Sequence, residues 1–360
     1  MAYTTIDKPS DYFDTKLYTG TGSNNITLTM DNVGWVWMKN RTNSGNHILM
    51  DIVRGGNNSN SQKPVLVSNI TGAEQGSDIT ATGGVAFGST STVIGSDNGG
   101  YNYNNSTSSN YVAWHWGTGT SFTNDASSTG IGSIDSTGSV STDAGFSIIS
   151  YTGTGSAATV AHGLGSTPKM IIVKNRSSSQ HWQVYHISTG NTKSSQLSGG
   201  GGADTASTYW NNTSPTSTVF SIGTGTPTNG NGNAIIAYCF SERKGFSKFG
   251  SYTGNGSASS GTFIYTGFKP AFVMIKRTDT TSSWEMYDAK REGFNPQVHA
   301  LYANGNNAED NTDDLLDLLS NGFKLYHDGG GLNASGSSYI FMAFAENPFV
   351  SSTGVPATAR

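Results

Sequence analysis

Tyr151-Thr-Gly-Thr-Gly155 and the run that follows it, Pro168-Lys-Met-Ile-Ile-Val-Lys-Asn-Arg176, decide the fold, because both pieces occur three times. The first returns as Tyr18-Thr-Gly-Thr-Gly22 and as Tyr252-Thr-Gly-Asn-Gly256. The second returns as Val33-Gly-Trp-Val-Trp-Met-Lys-Asn-Arg41 and Pro270-Ala-Phe-Val-Met-Ile-Lys-Arg-Thr278. Self-similarity of this kind marks a structural unit. Its period, roughly 100 residues, is domain-sized and too long for a solenoid.

Placing Lys39, Lys174 and Lys276 in register aligns Trp35, Met170 and Phe272, then Trp37, Ile172 and Met274. The intervening Val36, Ile171 and Val273 are apolar too, so each run reads as a strand buried on both faces. Eight residues beyond the lysines stand His47, Trp182 and Trp284. Trp182 and Trp284 open segments that alternate as half-buried strands do. Each unit closes on another strong strand: Tyr111–Trp116, Ile235–Phe240 and Tyr339–Phe344. The expected fold is all-β, with three tandem antiparallel β-sandwiches of jelly-roll or lectin-like type. The partition is an arm over 1–10, a diverged unit over 11–120, and a Ser/Thr/Gly-rich linker over 121–142. Two closely matched units follow over 143–246 and 247–349, then a flexible tail over 350–360. One short helix is expected over 312–320 in the third unit, from a cap candidate at Thr312, acids in its first turn and a terminating Gly322.

Glycine contributes 47 of 360 residues, and only 12% of residues are charged. Apolar residues nevertheless cluster into short runs rich in Ile, Val, Phe, Tyr and Trp, which argues for strands rather than disorder. A formal charge of -4 and the absence of a basic patch give no reason to bind nucleic acid. No stretch is apolar enough to insert in a membrane, and no signal sequence is legible. Cys239 is the only cysteine, so neither a disulfide framework nor a thiolate metal site exists.

Catalytic chemistry has little to stand on. His181 and His186 fall on opposite faces of a strand, His162 orders a turn, and His327-Asp328 lacks a nucleophile. There is no nucleophile elbow, Walker loop or dinucleotide fingerprint. A non-enzymatic protein without a cofactor is expected. Glu309, Asp310, Asp313 and Asp314 supply enough oxygens for a weak calcium site, without EF-hand spacing. Rings within polar loops, Tyr101, Tyr103, Tyr209 and Trp210, are the candidate ligand or interface aromatics, suited to stacking on a sugar or to a subunit contact.

The opening Met1-Ala-Tyr-Thr-Thr-Ile and Asp11-Tyr-Phe-Asp-Thr-Lys-Leu-Tyr-Thr-Gly20 resemble structural proteins of marine tailed bacteriophages. So do His162-Gly-Leu-Gly165, Tyr209-Trp-Asn-Asn212 and Ala237-Tyr-Cys-Phe-Ser-Glu242. The resemblance implies a tail-fibre or surface-appendage protein of the virion, assembled in the host cytoplasm and contributing to host receptor or glycan recognition. The alternatives are a capsid-decoration or tubular-appendage protein and, behind these, a polysaccharide depolymerase. It also implies other virion proteins as partners and a homo-oligomer, a trimer if the protein is a fibre. The diverged first unit is the expected attachment unit.

Overall fold

The computed structural model describes residues 3–22, 25–55, 64–75, 84–95, 105–311 and 315–356. Each repeat folds as a two-layered antiparallel β-unit. In the first, the large sheet runs in the order Phe13–Thr19, Asn110–Gly117, Val33–Asn40, Ile48–Asp51, Leu66–Val67. The third repeats this order with Ser247–Thr253, Ser338–Pro348, Phe268–Arg277, Trp284–Asp288 and Leu301–Tyr302. The second has the same five places, filled by Phe146–Thr152, Ala234–Phe240, Met170–Asn175, Gln183–His186 and Lys193–Gln196, and three further strands at its edges. A small sheet covers the outer face of each unit. It contains Ile26–Leu28 in the first, Ala158–Ala161 in the second and Phe263–Tyr265 in the third.

The two apolar parities of the central strands have different destinations. Val36 and Met38 face the outer layer of their own unit, packing with Leu28, Val85 and Ile94. Ile171 and Val173 do the same with Val160, Phe220 and Ile222. The other parity, Trp35 and Trp37, Met170 and Ile172, Phe272 and Met274, meets in one core common to all three units. At its centre the equivalent residues Trp116, Phe240 and Phe344 converge. The Phe344 ring lies 5.7 Å from Trp116 and 6.0 Å from Phe240, and Trp35 stacks on Tyr238 at 4.4 Å. The repeats are therefore wedges of one body, each large sheet burying both faces.

The recurring Tyr-Thr-Gly-x-Gly is the turn that grips a buried asparagine. Gly22, Gly155 and Gly256 each donate their N–H to the carbonyl of Asn105, Asn229 or Asn333 at 2.8 Å. The preceding N–H, of Thr21, Thr154 or Asn255, bonds the same asparagine's Oδ1 at 2.7 to 3.0 Å. These last glycines have φ between +67° and +76°, which glycine adopts freely. At Gly20, Gly153 and Gly254 a Cβ would fall within 2.3 Å of a facing carbonyl oxygen.

Two expectations are corrected. The segment 121–142 is no linker. It forms the strands Thr120–Asn124 and Ser136–Ser141, with the short helix Ala126–Thr129 between them, and extends the second unit's sheet. Its strands escape a hydrophobic-pattern reading because Ser, Thr and Gly fill them. The helix over 312–320 is replaced by the strand Leu316–Leu319, paired with Gly322–Leu325; residues 312–314 lie outside the described residues. Leu316 and Leu318 are buried while Asp317 is not, a period of two that outweighs the capping signals. The ends are tied down as well: Thr4 donates to the Lys244 carbonyl at 2.9 Å, and Asp7 accepts from the Ser352 N–H at 2.6 Å.

Candidate functional site: one neutral cleft beside three seams

The seams between units repeat one set of contacts in cyclic order. Lys174 of the second unit donates to the Thr71 carbonyl of the first at 2.8 Å, and Lys276 of the third to the Gly200 carbonyl of the second at 2.9 Å. Lys39 of the first reaches the Asn306 carbonyl of the third at 3.5 Å. Burial pushes all three ammonium groups down to about 8, because each leaves bulk water for a few carbonyl dipoles. The indole of Trp182 donates to the Val67 carbonyl and that of Trp284 to the Gln196 carbonyl, both at 2.9 Å. His47 holds the same register in the first unit, its ring turned to the Tyr302 backbone and bonded through Nδ1 by Trp37 at 2.8 Å. Second rests on first, third on second, first on third: the three wedges close a ring.

Two seams carry an additional buried network. Asp51 accepts from Tyr238 of the second unit and from Arg54, both at 2.6 Å. Arg54 continues to Glu74, which takes Arg176 of the second unit at 2.7 Å. In the third unit Asp288 accepts from Trp114 of the first at 3.0 Å and from Arg291, which continues to Glu309 and Arg41. Burial raises the Glu309 carboxyl, but Arg41 and Arg291 more than offset it and hold the group below its ordinary value. At the remaining seam His186 occupies the aspartate position and meets the Phe341 carbonyl at 3.2 Å. There Thr278 stands in the register of Arg41 and Arg176, and Ala203 makes the backbone contact that Glu74 and Glu309 make.

These networks account for most of the residues singled out from sequence. Lys39, Lys174, Lys276, Trp182 and Trp284 are buried seam contacts. Glu309 is occupied by two arginines, and Asp310 accepts from Tyr302 at 3.1 Å. Asp313 and Asp314 lie outside the described residues, among which no cluster suited to a metal occurs. Calcium thus loses one of its four candidate ligands to an ion pair. Trp210 is buried against Tyr185 in the second unit's core, so it is packing rather than a ligand contact. Tyr209 is half-buried beside it, while Tyr101 and Tyr103 lie outside the described residues. The Asp-x-x-Arg networks were missed, although Asp51-Ile-Val-Arg54 and Asp288-Ala-Lys-Arg291 share a spacing after matching strands. The buried asparagines likewise stand six residues before Tyr111, Ile235 and Tyr339.

What the ring leaves open is a cleft of about 530 Å³ where the first unit faces the added 120–141 hairpin. One wall is the hairpin itself. Ser121 pairs with Ser139 and Thr123 with Thr137, placing four hydroxyls on one face. Ser139 is engaged with Thr118, whereas Ser121, Thr123 and Thr137 bear no side-chain hydrogen bond within the described residues. The opposite wall brings Asn32, Val33, Ile52, Val53, Phe87 and Ser89 from the first unit. Among the described residues no ionisable side chain lines it. A second hollow, lined by Asp11, Asp14 and Asp31 with Lys8 paired to Asp11, adjoins it through Asn32 and Thr118.

The chain belongs to the family described as a domain of unknown function, DUF7483, which matches residues 8–348. That match spans all three wedges, as one closed ring requires. No curated protein is significantly similar to the chain.

Proposed function

We propose that the protein is a non-enzymatic structural protein on the surface of a tailed-bacteriophage virion, a tail-fibre or appendage component that contributes to host receptor or glycan recognition. The observation that carries this reading is the neutral, hydroxyl-lined cleft set into an otherwise closed ring. Among the described residues the cleft offers contacts for binding without an acid or a base placed for chemistry. The phage-like sequence style supplies the setting. Assembly into a homo-oligomer with other virion proteins belongs to the same reading.

A second reading, a capsid-decoration or tubular-appendage role, is favoured by the exposed Phe263 and Tyr265 on the third unit's outer strand. Such rings suit a protein contact. Labelling intact particles with antibody against the chain and locating it by electron microscopy tests the proposal. Label on fibres or appendages at the tail is expected. Label spread over the capsid supports the second reading, and none on the particle removes both.

A further inference from the structure

We propose that the cleft between the first unit and the 120–141 hairpin is a binding site for a neutral saccharide of one or two rings. This deepens the recognition reading and rests on it only for the source of the sugar.

The cleft exists because the ring's symmetry is broken at this place. The first and third units have five-stranded large sheets, and only the second carries an extra hairpin on the side facing the first unit. Without that hairpin the seam would present an open edge.

The chemistry of the walls is selective. Ser121, Thr123 and Thr137 can each donate and accept, as sugar hydroxyls do, so either partner can supply the proton. Half-buried Ile52 and Val53 give apolar area for the C–H face of a pyranose. The volume lies within the roughly 300–1,000 Å³ of small-ligand sites. With no arginine or lysine among the described lining residues, a carboxylate or sulfate entering the cleft would lose hydration without a counter-charge. Next door Lys8 is paired with Asp11 and Lys290 with Asp14, while Asp31 adds a further negative charge, so no cation is left over for a sialylated, uronate or sulfated glycan and these are disfavoured.

The test uses the full chain on an array of neutral and acidic oligosaccharides, followed by titration calorimetry with the best neutral mono- or disaccharide. Binding with Kd of about 0.1–10 mM is expected, typical of a small polar contact surface. Thr123 is exposed, so Thr123→Trp tolerates folding and fills the mouth; it should weaken binding at least about tenfold. Thr137→Val removes one hydroxyl and keeps the shape, for a loss of about three- to tenfold. Phe263→Ala, on the far outer strand, should bind as the parent does. Preference for acidic glycans, no neutral glycan bound at about 10 mM, or unchanged affinity in Thr123→Trp would overturn the proposal. Blocking particle adsorption with antibody separates the two readings. If the antibody fails to block while Thr123→Trp still loses sugar, the site stands and the attachment role falls. If it blocks while Thr123→Trp binds normally, attachment stands and this site falls.

Discussion

Asp288 accepts from Trp114 across one seam and from Arg291 within its own unit, and none of the three side chains meets solvent. Removing one member strands the other charge in a low-dielectric interior. Asp288→Ala should therefore cost about 3–5 kcal/mol, read as a shifted urea midpoint. A change below about 1 kcal/mol would show that water reaches the seam. The histidines set the acid limit. Burial lowers His115, His162 and His186 from 6.5 to about 4, and holds His47 well below its ordinary value. Between those values the unfolded chain binds protons that the folded chain refuses. Stability must then fall as pH drops from 6.5 to about 4, by up to about 3 kcal/mol per histidine, and these groups add nothing further below that. Melting temperature against pH checks it; a flat profile over that window contradicts neutral burial. From sequence, His186 shows only as one face of a strand, since nothing local announces that the Phe341 carbonyl of the third unit will meet it.

At the scale of elements, legibility followed the hydrophobic pattern. The runs at Val33–Asn40, Met170–Asn175 and Phe268–Arg277 were apolar on both parities and are buried on both faces. The hairpin that builds the cleft carries no such pattern, and its strands are held by backbone pairing. Gly138 sits where a Cβ would fall 1.9 Å from the Ile148 carbonyl oxygen, so the strand approaches its neighbour too closely for any side chain. Gly138→Val should peel the hairpin from the sheet. The expected result is faster hydrogen exchange over 120–141, weaker saccharide binding, and little change at the central strands. Unchanged exchange in the hairpin would mean that its place is set by something other than that contact. The segment at 312–320 failed in the opposite sense: cap residues outvoted the leucine alternation locally, and tertiary burial reversed the vote.

Across the whole molecule, three repeats were legible but their relation was not. A chain of independent sandwiches and a closed ring have the same strand pattern, and they differ only in what covers the second face of each large sheet. The tryptophans pointed to the answer. Trp35, Trp37, Trp114 and Trp116 on one face of a single sheet are more apolar area than an isolated unit could leave wet. The ring also explains why the cleft can be a stable feature, since its two walls belong to units that cannot drift apart without opening the common core. Differential scanning calorimetry of the full chain tests this most directly. The account predicts one transition whose van't Hoff enthalpy matches the calorimetric enthalpy, because the units share a core. Two or three resolved transitions, or a calorimetric enthalpy about three times the van't Hoff value, would show independent domains and contradict the ring.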